Sequence, residues 1–255
     1  VNGWSSDNTP TFSWGSPGDI SGIAGYWWAI DDDTPETGGT WTTATTATTS
    51  PLIDGTHTFY VKAQNGSGLI SAFASHQCQI DATPPTGTIL VNNGDGYTVS
   101  ISVTLTLSAS DSGSGVNKMR FSNDGMSWSS EEDYATSKSW TLAGGDGTKA
   151  VYVQYKDNAG NWSGAIGDTI ILDTTGPGGT ILINNGGGYT NSTSVTLTLS
   201  ASDSGSGVSK MRFGNDGVNW SIEENYATSK SWTLTSGDGT KAVYVQYKDN
   251  AGNWG

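Results

Sequence analysis

Over long stretches of the chain, hydrophobic residues recur at every second position. In "VTLTLSAS" (103–110), Val103, Leu105 and Leu107 alternate with Thr and Ser; in "KAVYVQYK" (149–156), Val151, Val153 and Tyr155 alternate with Ala150, Tyr152 and Gln154. A period of two puts one set of side chains on each face of a strand, whereas a helix needs a period of 3.6. By the same alternation Met119 and Phe121 face a core and Arg120 points out. Between these runs lie "NNGDG", "DSGSG", "NDG", "GGDG" and "DNAGN", residues that tolerate positive φ and close tight turns. The pattern predicts an all-β chain with no helix longer than a turn.

The pattern repeats. Residues 87–163 and 179–255 align without a gap at an offset of 92, with 64 of 77 positions identical. "LSASDSGSGV" (107–116, 199–208) and "GTKAVYVQYKDNAGN" (147–161, 239–253) are the same letter for letter. The first third is a diverged copy: Tyr60-Val61 falls on Tyr152-Val153, Asp81 falls on Asp173, and the linkers "DATPPTG" (81–87) and "DTTGPGG" (173–179) match in position. This places domains at 1–82, 83–174 and 175–255. About seven short strands per copy is the rhythm of an immunoglobulin-type sandwich. Three such sandwiches end to end form an extended rod on the order of 100 Å long, at about 3.3 Å per strand residue.

Composition narrows the function. Hydrophobic residues make up 34% and charged residues 14% of the 255, below the globular average, but 11 Trp and 10 Tyr supply buried area. A net charge of −13 repels a phosphate backbone, so no nucleic-acid partner is expected. No apolar run is long enough for a membrane span, so no membrane insertion by this segment is expected. One Cys and two His leave little material for catalysis. Alternation puts Cys78 on the same face as Ile80, facing a core; His57 and His76 align with Lys149 and Asp168 and do not recur. Glu131-Glu132 and Glu223-Glu224 read as exposed acidic loops rather than a glycosidase pair, because sequence neighbours on a strand diverge. No enzymatic activity is expected. Asn65, Asn161, Asn191 and Asn219 begin N-x-Ser/Thr sequons.

"PTFSW" (10–14), "GIAGYWWAID" (22–31) and "GTHTFYVKAQNGSG" (55–68) make the first domain resemble a fibronectin type III module. The second and third, through "SGV…MRFSNDG", "GDGTKAVYVQYKDNAGN" and the D-x-T-x-P linker, resemble the immunoglobulin-like modules strung along large bacterial and archaeal secreted or surface proteins. The resemblance implies β-sandwiches in an extracellular or cell-surface setting, acting as spacer, adhesive stalk or binding module. Its implied partners are other modules of the same parent protein or neighbouring subunits.

Two clusters carry chemistry. In such a sandwich the preceding linker and two loops meet at one end, so Asp81, Asp111 and Asp157 converge at the first junction and Asp173, Asp203 and Asp249 at the second. Hard carboxylate oxygens on loops suit Ca²⁺; the alternative is that each Asp caps its own turn through local hydrogen bonds and the chain holds no cofactor. On the outer sheet face Arg120 is expected to stack on Tyr152 and Arg212 on Tyr244. Their counterparts in the first domain, Trp27 and Tyr60, would form with Trp41 a platform for a surface glycan, which makes a carbohydrate-binding accessory of a secreted enzyme the alternative function. Trp128, Trp140, Trp220 and Trp232 read as core or rim packing. Finally, the first domain lacks a counterpart of "GTILVNN" (87–93) and the third a counterpart of "GDTIILD" (167–173). Either the chain is a window on a longer array, or subunits complete one another's sheets into a filament.

Overall fold

A computed structural model describes residues 3–255, and its regular secondary structure is almost wholly strand. The first copy contributes β1 (Trp4–Ser5), β2 (Thr11–Ser13), β3 (Ile23–Ile30), β4 (Thr40–Thr42), β5 (Thr46–Thr48), β6 (Gly55–Asn65) and β7 (Ala74–Ile80), with a single-turn helix, Pro35–Gly38. The second contributes β8 (Thr86–Val91), β9 (Tyr97–Thr98), β10 (Ser102–Ser110), β11 (Val116–Ser122), β12 (Glu132–Asp133), β13 (Ser137–Thr141), β14 (Gly147–Asp157) and β15 (Ile166–Leu172). The third contributes β16 (Gly178–Ile183), β17 (Ser194–Ser202), β18 (Val208–Gly214), β19 (Glu224–Asn225), β20 (Ser229–Thr233) and β21 (Tyr244–Asp249). Against the expected seven strands per copy, the described residues thus form seven, eight and six.

Every named strand pairs within its own copy. In the second copy a three-stranded sheet, β13-β10-β8, faces a five-stranded one, β12-β11-β14-β15-β9. Ile89, Val91, Val103, Leu105 and Leu107 from the first sheet meet Met119, Phe121, Val151, Val153, Tyr155 and Ile170 from the second in one buried cluster. Two sheets sharing a core in this way are a β-sandwich. The alternation in sequence sets which residues enter it: β10 runs exposed-buried along Ser102–Leu107, and Val151, Val153 and Tyr155 are fully buried. The chain changes sheets after β8 at Asn92-Asn93, both at positive φ, and β9 then runs parallel to β15.

The outer copies are built on the same plan with fewer strands. The first has a five-stranded sheet, β1-β7-β6-β3-β4, over the pair β2-β5, with no counterpart of β8 among the described residues. Its core joins Phe12, Tyr26, Ala47, Phe59, Val61 and Ala63, with Phe12 stacked on Phe59 at 4.3 Å. The third has β16-β17-β20 over β19-β18-β21, and no counterpart of β15 among the described residues. Its core gathers around Val195, Leu197, Leu199, Met211, Phe213 and Tyr247.

Candidate metal centre at the junctions between copies

The chain leaves β7 at Ile80, and the next residue, Asp81, is buried where the first copy meets the second. Its N–H donates to Ser5 O at 2.9 Å, which ties it to the copy behind. Its side chain faces the copy ahead: Oδ2 accepts from Ser114 N at 2.7 Å, and its carbonyl accepts from Asn161 Nδ2 at 2.7 Å. One residue therefore belongs to both copies. Gly113 makes the approach feasible, since a Cβ there would stand 2.5 Å from the Asp81 carboxyl carbon.

The loops that receive Asp81 carry the other two carboxylates. Asp111 opens the β10–β11 turn, with Oδ1 accepting from Gly113 N and Gly115 N at 3.1 and 2.7 Å. Asp157, at the end of β14, accepts from Gly160 N and Asn161 N through Oδ1 and from Asn161 Nδ2 through Oδ2. These bonds within the turns hold each carboxylate in place. Asp81, Asp111 and Asp157 each bring an oxygen to a common point, and these oxygens lie within 4.8 Å of one another.

The second junction repeats the first. Asp173 Oδ2 accepts from Ser206 N at 2.8 Å and its carbonyl from Asn253 Nδ2 at 2.8 Å. Asp203 caps Gly205 and Gly207, and Asp249 caps Gly252 and Asn253. Asp173, Asp203 and Asp249 bring oxygens within the same 4.8 Å. Two of the three carboxylates at each junction are buried, and the third is half-buried. Among the described residues no Lys, Arg or His forms an ion pair with any of the six. Three carboxylates in one partly dry site repel one another, and burying such charge without a counter-charge is costly. Their span matches an oxygen shell around Ca²⁺, whose ligands sit at about 2.3–2.6 Å from the ion.

Sequence reasoning missed the residues that make the junction rigid: Ser114 and Asn161, with Ser206 and Asn253. Their signal was present, because all four lie in the two stretches that recur unchanged. Asn158 completes the lock, donating to Ser114 O at 2.8 Å, and Ala159 N donates to Ser114 Oγ at 3.0 Å. The Asn161 sequon thus lies on an amide already engaged in the junction.

The outer face corrects the expected aromatic stacking. Arg120 stands opposite Gln154, not Tyr152, and both Nε and Nη2 donate to Gln154 Oε1, at 2.9 and 2.7 Å. Its guanidinium is sandwiched between Trp128 and Trp162, 5.1 and 4.2 Å from their ring centres. Arg212 repeats this with Gln246, Trp220 and Trp254. Trp128 and Trp220 are therefore outer-face rungs, whereas Trp140 and Trp232 pack against the cores. In the first copy, Trp27 faces Lys62 and Trp41 across the sheet, while Tyr60 faces Ala29. The three-ring platform separates into two pairs: Trp27–Trp41 at 5.0 Å and Tyr60–Phe73 at 5.2 Å. Trp41 leans over the bare backbone of Gly25 and stays 38% exposed.

The remaining candidates take structural places. Glu131 and Glu132 do diverge, but each has a cation: Glu131 meets Lys156 at 3.4 Å and Glu132 pairs with Lys138, so they are strand-edge ion pairs rather than a free acidic loop. Glu223 and Glu224 do the same with Lys248 and Lys230. Cys78 packs against the first core, and burial pushes its thiol pKa up. His57 is buried, with Nδ1 at 2.7 Å from Asp31 Oδ2 and Nε2 at 2.9 Å from Ile53 O. Among the described residues no helix is long and apolar enough to cross a membrane.

Solved structures similar to this chain include two arrays of modules. Fibronectin(III)-like modules of Clostridium thermocellum CbhA share 15% identity at a TM-score of 0.37, over 62% of this chain and 82% of theirs. A tetra-tandem repeat from the extending region of a large adhesion protein shares 18% identity at a TM-score of 0.29, over 98% and 69%. No protein-family profile and no curated protein matches the chain. The sandwich fold stands on the strand pairing described above.

Proposed function

We propose that the chain is a non-catalytic spacer of an extracellular or cell-surface protein, in which Ca²⁺ at each junction fixes one β-sandwich against the next. One observation carries this reading: the same three carboxylates, without a cationic partner, are assembled at both junctions from the linker of one copy and two loops of the following copy. A site shared in this way links ion binding to the angle between copies. Without the ion, repulsion among the carboxylates opposes closing the joint; with it, six or more oxygens, some from water, are drawn together. Sites of this kind on extracellular modules bind at about 10⁻⁴–10⁻³ M, matched to millimolar external Ca²⁺. The acidic surface keeps neighbouring molecules apart and fits a stalk.

Calorimetric titration with CaCl₂ tests the reading. Two ions per chain are expected, one in Asp111→Asn and none in Asp111→Asn/Asp203→Asn, because both half-buried carboxylates can be neutralised without disturbing the cores. No heat and no rise in melting temperature at millimolar Ca²⁺ would sink it.

Carbohydrate binding by the first copy is the second reading, supported by the Trp27–Trp41 pair and the exposure of Trp41. Affinity electrophoresis through polysaccharide gels tests it: retardation of the chain that is abolished in Trp41→Ala is the expected result.

A further inference from the structure

In all three copies one nitrogen-bearing side chain reaches back to a carbonyl of the loop in front of its strand. Lys149 Nζ donates to Gly144 O at 3.2 Å, and Lys241 Nζ donates to Ser236 O at 3.1 Å. His57 holds this place in the first copy, with Nε2 2.9 Å from Ile53 O. The same loop grips the linker that leaves the copy. Asp54 accepts from Ala82 N at 2.8 Å and from Thr83 Oγ1. Asp146 accepts from Thr174 Oγ1 and Thr175 Oγ1 at 2.9 and 3.0 Å. Side chain, loop and linker are thus connected in series at both junctions, with a lysine at the second and a histidine at the first.

The geometry around His57 fixes its charge. Nδ1 lies 2.7 Å from Asp31 Oδ2, so each ring nitrogen faces an oxygen that only accepts, a carboxylate on one side and a carbonyl on the other. Both bonds form together only when both nitrogens carry hydrogen. In the neutral ring the one hydrogen stays on Nδ1 beside the carboxylate, and the Nε2 lone pair is turned on the Ile53 carbonyl, which it repels. A lysine keeps its charge throughout the range in which a histidine loses it.

The other groups around the ring leave this pairing undisturbed. Asp54 turns its carboxylate to the linker, and Asp32 turns its own to Thr34. Across the sheet Cys78 stands opposite His57, and burial keeps its thiol protonated. His76 lies against Phe12, with ring centres 6.3 Å apart. The β2-β5 pair that covers the core has no charged residue.

We propose that His57 is a pH-sensitive latch on the first junction. The imidazolium holds Ile53 and, through Asp54, the linker residues Ala82 and Thr83; loss of its proton frees them. The second junction, held by Lys149, stays closed. Burial works against the charge on His57, but the bonds to Asp31 and Ile53 outweigh it, so the folded chain holds the proton more tightly than the unfolded chain. The latch is therefore closed below about pH 6.5 and opens as pH rises through the folded value. The second copy is then joined by a titratable joint at one end and a permanent one at the other.

Amide exchange of the intact chain in chelator tests this independently of Ca²⁺, so a chain that binds no ion is tested equally well. Between about pH 5.5 and about pH 8, after correction for the intrinsic rate, the Ala82 amide is expected to lose protection by about fivefold or more, while its counterpart Thr174 keeps its own. As a second measurement, the ring ¹⁵N signals of His57 are expected to show both nitrogens protonated at the lower pH, with a midpoint that coincides with the change at Ala82. In His57→Lys the Ala82 amide is expected to stay protected at both pH values. The proposal is overturned if Ala82 protection is unchanged across the His57 titration, or if Thr174 changes with it. It is equally overturned if the ring is neutral at both pH values, or if His57→Lys keeps the pH dependence.

Discussion

The second and third copies share 64 of 77 aligned residues and do not share a core. Val153 is fully buried while its counterpart Val245 is half-buried, and Ile89 is 5% exposed while Ile181 is half-buried. Residue identity alone therefore does not set burial here; completeness of the sheet does. Ile170 and Leu172, which have no counterparts among the described residues of the third copy, each contribute about 2 kcal/mol when fully buried. Tyr155 and Tyr247 report the same difference. Each donates its hydroxyl to a carbonyl of the first strand of its copy, Thr88 or Thr180. Burial, then the neighbouring tyrosine, raises both pKa values, Tyr247 to about 12 and Tyr155 further.

The junctions teach the converse. They are alike at both ends of the second copy although the copies they enter differ in strand number. The reason is that each junction depends on one pairing, β11 with β14 or β18 with β21, and both keep the same register, Val116 opposite Asp157 and Val208 opposite Asp249.

The comparison yields its largest test at Leu172. Leu172→Asp places a charge in the core of the second copy and is expected to cost about 4 kcal/mol. Amide exchange along Gly147–Val151 should then rise to the level seen along Gly239–Val243; slow exchange in the variant would mean that β15 is not what separates the copies. Next come Gly113→Ala and Gly205→Ala. The new Cβ would stand 2.5 Å from the Asp81 carboxyl carbon and 2.4 Å from that of Asp173. Each should cost about 2 kcal/mol and expose its linker to proteolysis. Equal effects sharpen the equivalence of the junctions, and unequal effects break it.

Arg120→Lys and Arg212→Lys should each lower stability by about 1 kcal/mol, because a lysine cannot fill the slot between two indoles and chelate one amide oxygen. Chemical denaturation of each variant checks this. The smallest effect belongs to the first copy. Burial opposes a charge on His57, but hydrogen bonds to Asp31 and the Ile53 carbonyl, with the Asp31 charge, raise its pKa above 6.5. The proton is held more tightly in the folded chain, so its stabilisation is complete below about pH 6.5 and fades as pH rises through the folded value. Lys149 and Lys241 occupy the position in the other copies, so only the first copy should soften between pH 6 and 8, followed by exchange along Gly55–Asn65.

Alternation of Val103, Leu105 and Leu107 made the sheets legible in the sequence, and the recurrence of Asp111 and Asp157 beside the linker Asp81 made the junction legible. The outer-face ladder was not. Trp162 lies beyond the end of β14 and returns as a single bridge opposite Lys156, a contact that periodicity within a strand does not encode. Nor did strand alternation show that Trp27 meets Lys62 rather than Tyr60, since register is set by pairing across the sheet and a bulge between Ile23 and Gly25.

Small-angle X-ray scattering of the whole chain, in millimolar Ca²⁺ and then in chelator, tests the junction most directly. The account predicts one narrow, elongated distance distribution with Ca²⁺ that broadens and shortens on chelation, and no such change in Asp111→Asn/Asp203→Asn. Superimposable profiles of the unsubstituted chain in the two buffers would contradict it.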